Sequence, residues 1–305
     1  MAEATGRLPE DLEAVRDALC AWYAEHRRPF AWRETDDPWQ LLVLEVMSQQ
    51  TQLERASEAW AAFVDRWPTP EALADESRAA VVSFWSDHRL GYNRRAGYLH
   101  AAATQVVDEH DGLVPEDPTT LETLPGVGPY TANAVANVAY GTGGPVVDTN
   151  VKRVLYRAFA IPDDDAAFEA AAAALHPDGD GRTWTNAIME LGGLACTSTP
   201  ACDEASCPWR RWCHAYATGD FTAPDVPEQP PFEGSRRQMR GRAIAALGEH
   251  GPLALDDLGP RVRVDYSPEG TAGRAWLREL LDDLADDGLV EVVEGGNGTV
   301  ARLRE

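Results

Sequence analysis

Lysine is almost missing from this chain of 305 residues: Lys152 is the single one, and every other residue among the 27 of Lys and Arg is arginine. Chemistry that needs a lysine amine as nucleophile therefore has only Lys152 and the N-terminal amine to draw on. Long apolar runs are missing too. No stretch of about 18 apolar residues occurs, so no membrane-spanning helix is expected. The first residues, MAEATGRLPEDLEAVRD, lack the basic start and apolar core of a signal peptide, and the expected setting is cytoplasmic. Cysteine is scarce and uneven. Cys196, Cys202, Cys207 and Cys213 fall within 18 residues while Cys20 stands alone, a clustering that suggests a metal site rather than a disulfide framework.

What is abundant is acid. Fifty Asp and Glu residues leave a net charge of −23, which ordinarily argues against a nucleic-acid partner because phosphates repel an acidic surface. An acidic, lysine-poor chain with runs such as Asp163-Asp164-Asp165 also fits a solvated surface adapted to high salt. Screening there shrinks the repulsion to a few ångströms, so charge no longer excludes DNA. An acidic protein with no such partner stays open on composition alone.

From Glu10 to about Tyr216 the sequence reads as successive amphipathic helices, and alternating β-branched runs are nearly absent. Helices are expected over about 10–26, 38–54, 56–66, 77–85, 92–110, 119–124, 129–140, 148–159, 166–175 and 182–195. The fold class is an all-α body over 1–221, a Pro-rich linker over 222–234, and a small winged-helix-like α+β domain over 235–305. That last domain reads as three helices followed by a hairpin around Gly-Gly-Asn-Gly.

Three segments carry chemistry. LPGVGPYTANAV, Leu124 to Val135, sets Gly126 and Gly128 at the mouth of a helix that opens on Pro129. Glycines free the backbone for positive φ and close approach, and helix N-terminal amides bind anions such as phosphate. An ordinary interhelical turn is the alternative. In PWQLLVLEVMSQQTQ, Glu45 lies among Leu41, Leu42, Leu44, Val46 and Met47, where an ionised carboxylate is costly and the proton is retained more strongly. Such a carboxyl can serve as a general acid; a surface glutamate on the helix's other face is the alternative. In PVVDTNVKRVL, Asp148 suits a helix N-cap and, if one oxygen faces a pocket, also chemistry. Two carboxylates in different protonation states are the equipment for cleaving a glycosidic bond through an oxocarbenium-like state.

LPGVGPYTANAV followed by VVDTNVKRVL resembles the hairpin and following aspartate segment of the helix-hairpin-helix, endonuclease III-like base-excision glycosylases. LEVMSQQTQ, HRRPFAWR and RLGYNRRAGYLHAAA resemble the adenine DNA glycosylase (MutY) family within them, and the resemblance covers roughly residues 10–216. It implies a helix-hairpin-helix DNA glycosylase fold, with Glu45 as the acid that protonates a flipped-out adenine and Asp148 as the carboxylate that stabilises the cationic sugar. It implies that Arg28, Trp32, Tyr130 and Glu190 hold the base. Gln50, Thr51, Leu90 and Tyr92 would wedge into the duplex and touch the opposite base, and Gly126 and Gly128 would grip a phosphate. Taken singly, each of these has a bland alternative as a core aromatic, a surface cation or a solvated helix edge.

In the lyase branch the resemblance implies a lysine just after the hairpin. This chain reads Pro129-Tyr130-Thr131 there, so the expectation is a monofunctional enzyme that uses water. The resemblance also implies that Cys196, Cys202, Cys207 and Cys213 hold a 4Fe-4S cluster. Their gaps of five, four and five residues depart from the family's six, two and five, and lack the tight CxxC knuckles usual for zinc. Arg210 and Arg211, inside CPWRRWC, would project toward phosphates, or into solvent.

Residues 235–305 read as too short and too helical for the Nudix-like β domain that the family typically adds, so none is expected there. Arg236, Arg237, Arg240 and Arg242 could meet DNA there or simply balance an acidic helix. The expected activity is removal of adenine mispaired with guanine or 8-oxoguanine in double-stranded DNA, by a monomer and away from any membrane. Two alternatives stay open: a mismatch thymine or uracil glycosylase on the same fold, and a non-catalytic iron-sulfur DNA-binding regulator.

Overall fold

The computed structural model describes residues 7–225, 230–267, 270–295 and 298–305. It forms two compact units: Met1–Leu42 with Pro115–Thr123 and Val127–Glu228, and Val43–Val114 with Leu124–Gly126 and Gln229–Glu305. The helices up to the Pro-rich stretch are α1 (Leu12–His26), α2 (Pro38–Ser48), α3 (Leu53–Arg66), α4 (Pro70–Ala74), α5 (Arg78–Asp87), α6 (Arg94–Glu109), α7 (Pro118–Leu121), α8 (Pro129–Val135), α9 (Thr149–Phe159), α10 (Asp165–Leu175), α11 (Gly181–Leu194) and α12 (His214–Thr218). The tail adds α13 (Arg236–His250), β1 (Leu253–Ala254), α14 (Leu255–Val262), α15 (Thr271–Asp286), β2 (Val290–Gly295) and β3 (Gly298–Leu303). Among the described residues no helix is long and apolar enough to cross a membrane.

Five aspartates start helices. Asp11, Asp117, Asp148, Asp164 and Asp180 each accept a backbone N–H three residues on, satisfying donors that have no partner inside the helix. In the first unit, α1, α9, α10 and α11 bury Leu19, Trp22, Val154, Phe159, Phe168, Trp184 and Leu191 in one core, with Trp209 from the cysteine loop. Two indoles tie that loop down: Trp209 Nε1 donates to the Val15 carbonyl at 2.9 Å and Trp22 Nε1 to the Ala205 carbonyl at 2.8 Å.

In the second unit, Phe63, Trp67 and Phe84 pack as a tilted aromatic trio with centroids 4.7–5.3 Å apart. The tail's α13 lies on α5, so closely that a Cβ on Gly248 would stand 2.8 Å from Ser83 Oγ. The tail's sheet runs β1-β3-β2, all antiparallel, with Leu253 opposite Ala301 and Val290 opposite Leu303. Helix, strand, two helices and a hairpin give the winged-helix-like order expected.

Several expected boundaries change. The helix expected over 38–54 stops at Ser48 and restarts at Leu53, because Gln50 takes a left-handed φ of 53°. Residues 136–140, expected to be ordinary helix, form a wider π-type turn that closes on Gly141 at φ 74°. Leu253-Ala254, in a domain expected to hold only helices before its hairpin, is a short strand. Helices α4 and α12 and a 3₁₀ turn at Ala31–Glu34 were not anticipated. Of the expected linker, residues 226–229 lie outside the described residues, as do 296–297 at the hairpin tip.

Candidate active site

Asp148 is held at both carboxylate oxygens. Oδ1 accepts the Val151 N–H and Oδ2 accepts Asn150 Nδ2, each at 2.7 Å, and the residue stays partly exposed at the start of α9. Asn150 Oδ1 in turn accepts from Arg153 at 2.9 Å, and Arg153 donates to the carbonyls of Gly192 at 3.0 Å and Cys196 at 2.7 Å. Burial pulls the Arg153 pKa down. Neither Asn150 nor Arg153 was singled out from sequence, although both lie in the stretch that carries Asp148.

Helix α11 brings the expected base-pocket residues together. Glu190, 1% exposed, accepts from the Arg28 backbone N–H at 2.7 Å, from Arg28 Nε at 3.1 Å and from Arg28 Nη2 at 3.0 Å, while Arg33 Nη2 donates to it at 2.6 Å. Arg33 also meets the Tyr23 hydroxyl and lies over the Trp32 ring, 4.8 Å from its centroid. Trp32 is buried and stacks on Phe30, and its Nε1 has no hydrogen-bond partner. Tyr130, at the second position of α8, is half-buried with its hydroxyl 3.8 Å from Met189 Sδ. The Gly192-Gly193 step makes this crowding feasible: a Cβ would lie 3.0 Å from Asn150 Cβ at Gly192 and 2.9 Å from Arg28 Nη2 at Gly193. Arg33, the second cation on Glu190, sits in HRRPFAWR, 157 residues from its partner, and no local spacing points to it.

The hairpin uses its glycines differently from each other. Gly126 takes φ 79°, and a Cβ there would stand 2.8 Å from Tyr98 Cβ, so glycine is needed for both conformation and space. Gly128 is extended at φ −104°, exposed, with no atom within 4 Å of where its Cβ would be.

In the second unit, Glu45 is half-buried between fully buried Leu44 and Val46 on α2. The residues expected to meet the duplex lie on two short loops that one side chain ties together. Arg95 donates to the carbonyls of Val46 (3.0 Å), Met47 (3.3 Å) and Gln49, to Thr51 Oγ1 (3.2 Å), and to the carbonyls of Leu90 (2.8 Å) and Gly91 (3.2 Å). All these acceptors are neutral, and burial lowers its pKa to about 10. Gln50 and Tyr92 both sit at positive φ, 53° and 46°, on the loops so fixed. Gln50 and Tyr92 are exposed and Thr51 half-exposed, while Leu90 is only 3% exposed and faces the unit's interior.

The four clustered cysteines are free thiols on one loop of the first unit. Burial, with the neighbouring thiols adding to it, raises Cys202 and Cys213 and pushes Cys207 up to about 12. Among the described residues no three His, Cys, Asp or Glu side chains are gathered into a set that could hold a metal ion. The surroundings do suit an anionic group. Arg157, 4% exposed, lies 3.8 Å from Cys196 Sγ and otherwise donates to the carbonyls of Thr197, Ser198, Phe221 and Thr222, so its described partners include no carboxylate. Arg210 pairs with Asp203 at 2.7 Å, and Arg211 lies 3.7 Å from the Trp212 ring centroid.

Residues 43–177 match the HhH-GPD superfamily of base excision DNA repair proteins. The chain is 38% identical over 289 residues to the adenine DNA glycosylase of Mycolicibacterium smegmatis, spanning 93% of this chain and 94% of that one. It is 42% identical over 284 residues to the adenine DNA glycosylase of Mycobacterium tuberculosis, spanning 88% and 90%. A thermostable thymine-DNA glycosylase structure superposes with TM-score 0.63 at 25% identity, over 68% of this chain and 98% of that one. With relatives matched at this level along almost their whole length, the chain belongs to the adenine DNA glycosylase family of helix-hairpin-helix base-excision proteins.

Proposed function

We propose that the protein is a monofunctional DNA glycosylase that hydrolyses the bond between sugar and base at adenines mispaired with guanine or 8-oxoguanine, acting as a cytoplasmic monomer on duplex DNA. What carries this reading is the near full-length likeness to adenine DNA glycosylases; Glu45 and Asp148 stand in the sequence motifs that resemble that family. A bond inside a stacked duplex is out of reach, so the adenine is first extruded. Tyr92 and Gln50, on loops braced by Arg95, fill the space it leaves, and the amides at the mouth of α8 take a phosphate. Trp32, Tyr130, Arg28 and Glu190 form the wall of the base pocket, with Glu190 orienting Arg28 through its paired oxygens.

Adenine leaves poorly as an anion, so a proton must arrive as the bond breaks, and Glu45 supplies it. Asp148, kept in place by Asn150 and the Val151 amide, sets a negative charge against the developing sugar cation. Water adds to that cation and releases a proton. Lys152 is paired with Asp165 at 2.5 Å on α9, consistent with no amine entering the chemistry. We assign Cys196, Cys202, Cys207 and Cys213 to a 4Fe-4S cluster, beside which Arg157 supplies a compensating cation. The bound cluster would staple the loop into one shape. Arg210 and Arg211 would reach phosphate once Arg210 exchanges Asp203 for it.

Base release from duplexes carrying every mispair, with and without 8-oxoguanine and at molar KCl, tests this. Adenine should be released opposite guanine and 8-oxoguanine, and the product strand should stay intact until heated in alkali. Release of thymine or uracil in place of adenine would favour the second reading, a mismatch pyrimidine glycosylase, to which the thymine-DNA glycosylase structure lends support. Binding without any release would leave a non-catalytic DNA-binding regulator.

A further inference from the structure

The tail's first helix opens with four arginines, and three of them are turned to the tail itself. Arg236 holds Asp283 and Glu279, and Arg240 holds Asp287. Arg242 donates to the Val262 carbonyl at 3.4 Å and stands 3.9 Å from Glu233. Arg237 points elsewhere. It donates to the Tyr92 hydroxyl at 3.1 Å and to the Pro230 carbonyl at 3.3 Å, and its guanidinium carbon lies 5.8 Å from the Tyr92 ring centroid and 5.4 Å from that of Phe232. Both rings are open to solvent, Tyr92 at 38% and Phe232 at 55%, among the few large apolar side chains so exposed. Arg95 lies 5.5 Å from the Tyr92 centroid as well, so the ring that carries the loop is held by one cation from α6 and another from α13. Two exposed aromatic faces about one guanidinium form a stacking surface for a nucleobase with a planar donor fork beside it.

We propose that Arg237 is a specificity-determining residue, supplied by the winged-helix-like tail, that donates to the base left unpaired when adenine is extruded, with Tyr92 and Phe232 as its stacking partners. This rests on the glycosylase reading above, in which Tyr92 stands at that base. The fork selects guanine: its O6 and N7 are adjacent acceptors that arginine meets bidentately, whereas cytosine and thymine offer no such pair and 8-oxoguanine carries hydrogen on N7. The tail thereby supplies an opposite-base contact from α13. Arg236 and Arg240 have a structural task, holding α13 to the acidic C-terminal end of α15.

The test uses the full chain and duplexes in which the target is 2′-fluorinated adenosine, which resists cleavage, opposite guanine, 7-deazaguanine, 8-oxoguanine or thymine. Arg237→Ala should weaken binding to the guanine duplex by roughly tenfold or more, the size expected for one bidentate base contact. It should change binding opposite 7-deazaguanine, 8-oxoguanine or thymine, none of which offers the O6/N7 acceptor pair, by no more than about twofold, within the scatter of a lost rim contact. Arg237→Lys, which keeps the charge and loses the fork, should behave like Arg237→Ala. An equal loss on all four duplexes, rescued by lysine, would make Arg237 a phosphate contact and overturn the proposal. Unchanged affinity on all four, with a lowered melting temperature, would reduce it to a packing contact and overturn it too. Adenine release by the unmodified chain from cleavable versions of the same duplexes is scored separately: its absence sinks the glycosylase reading, whereas its presence beside either overturning pattern sinks this inference alone.

Discussion

At the scale of single residues, Asp148 shows how one side chain can satisfy folding and chemistry together. It caps α9 as four other aspartates cap their helices, but its second oxygen is set by Asn150, which Arg153 in turn braces against α11. Asp148→Asn should keep the cap and remove the charge, leaving binding to mispaired duplex within about tenfold of the parent if phosphate contacts dominate affinity, and adenine release severely slowed. Glu45→Gln should slow release by roughly 10²- to 10⁴-fold. Single-turnover release measured beside gel-shift affinity separates these effects. Near-parental turnover in Glu45→Gln would remove the acid assignment, and lost binding in either variant would make the carboxylate structural. Arg95→Ala makes a different prediction. Charged hydrogen bonds of this kind are worth roughly 1.5–3 kcal/mol each before compensation. Truncation also strands buried carbonyls on both loops, so melting should fall by about 5–10 °C. A variant that melts like the parent would show that the two loops hold themselves.

At the scale of elements, what was legible followed from local pattern. The amphipathic period gave the long helices α1, α6, α9, α10 and α11 nearly to the residue, and Gly-Gly-Asn-Gly with its alternating flanks gave β2 and β3. The break after Ser48 was not legible, because no proline or glycine marks it; the turn is fixed by Arg95, more than 40 residues away. Strand β1 was missed for a similar reason, since two residues become a strand only by pairing with β3, Leu253 with Ala301 and Ala254 with Val300. Arg28, Trp32, Tyr130 and Glu190 were named from sequence motifs, but the contacts around them were not: Arg33 reaches Glu190, and Arg153 reaches α11 beside it, through contacts that no spacing encodes. The cysteine loop is the element with the clearest chemical test. Trp209 and Trp22 hold the loop to α1, and a buried Arg157 lies beside Cys196. Protein purified without oxygen should therefore be brown with about four irons per chain, as expected for a single 4Fe-4S cluster. Cys202→Ser should lose iron and DNA affinity together. Stoichiometric zinc without iron would overturn the assignment.

At the scale of the whole molecule, the tail and the charge decide what conditions the protein tolerates. The described residues from Pro230 onward fold within the same unit as Val43–Val114, and α13 buries Ile244 and Leu247 while resting on α5. Losing a buried Leu or Ile costs about 1.5–3 kcal/mol of burial, so a chain ending at Thr222 should melt well below the parent; equal melting would show that the tail adds no stability. Charge acts on every surface at once. Fifty acidic residues against 27 basic ones repel one another at low ionic strength, and the exposed arginine pairs, worth at most about 1 kcal/mol each, offset little of it. Raising salt from about 0.1 M to 1 M shortens the screening length from about 10 Å to 3 Å. That weakens the pairs, but it weakens the far more numerous repulsions as well, and with a net charge of −23 the second effect wins. Melting temperature should therefore rise with KCl across this range, and adenine release should persist at molar KCl, where an acidic surface no longer repels the duplex. A melting temperature that falls with KCl, together with release only at low salt, would show that the acid excess is not an adaptation to salt and that the surface reaching DNA is locally basic.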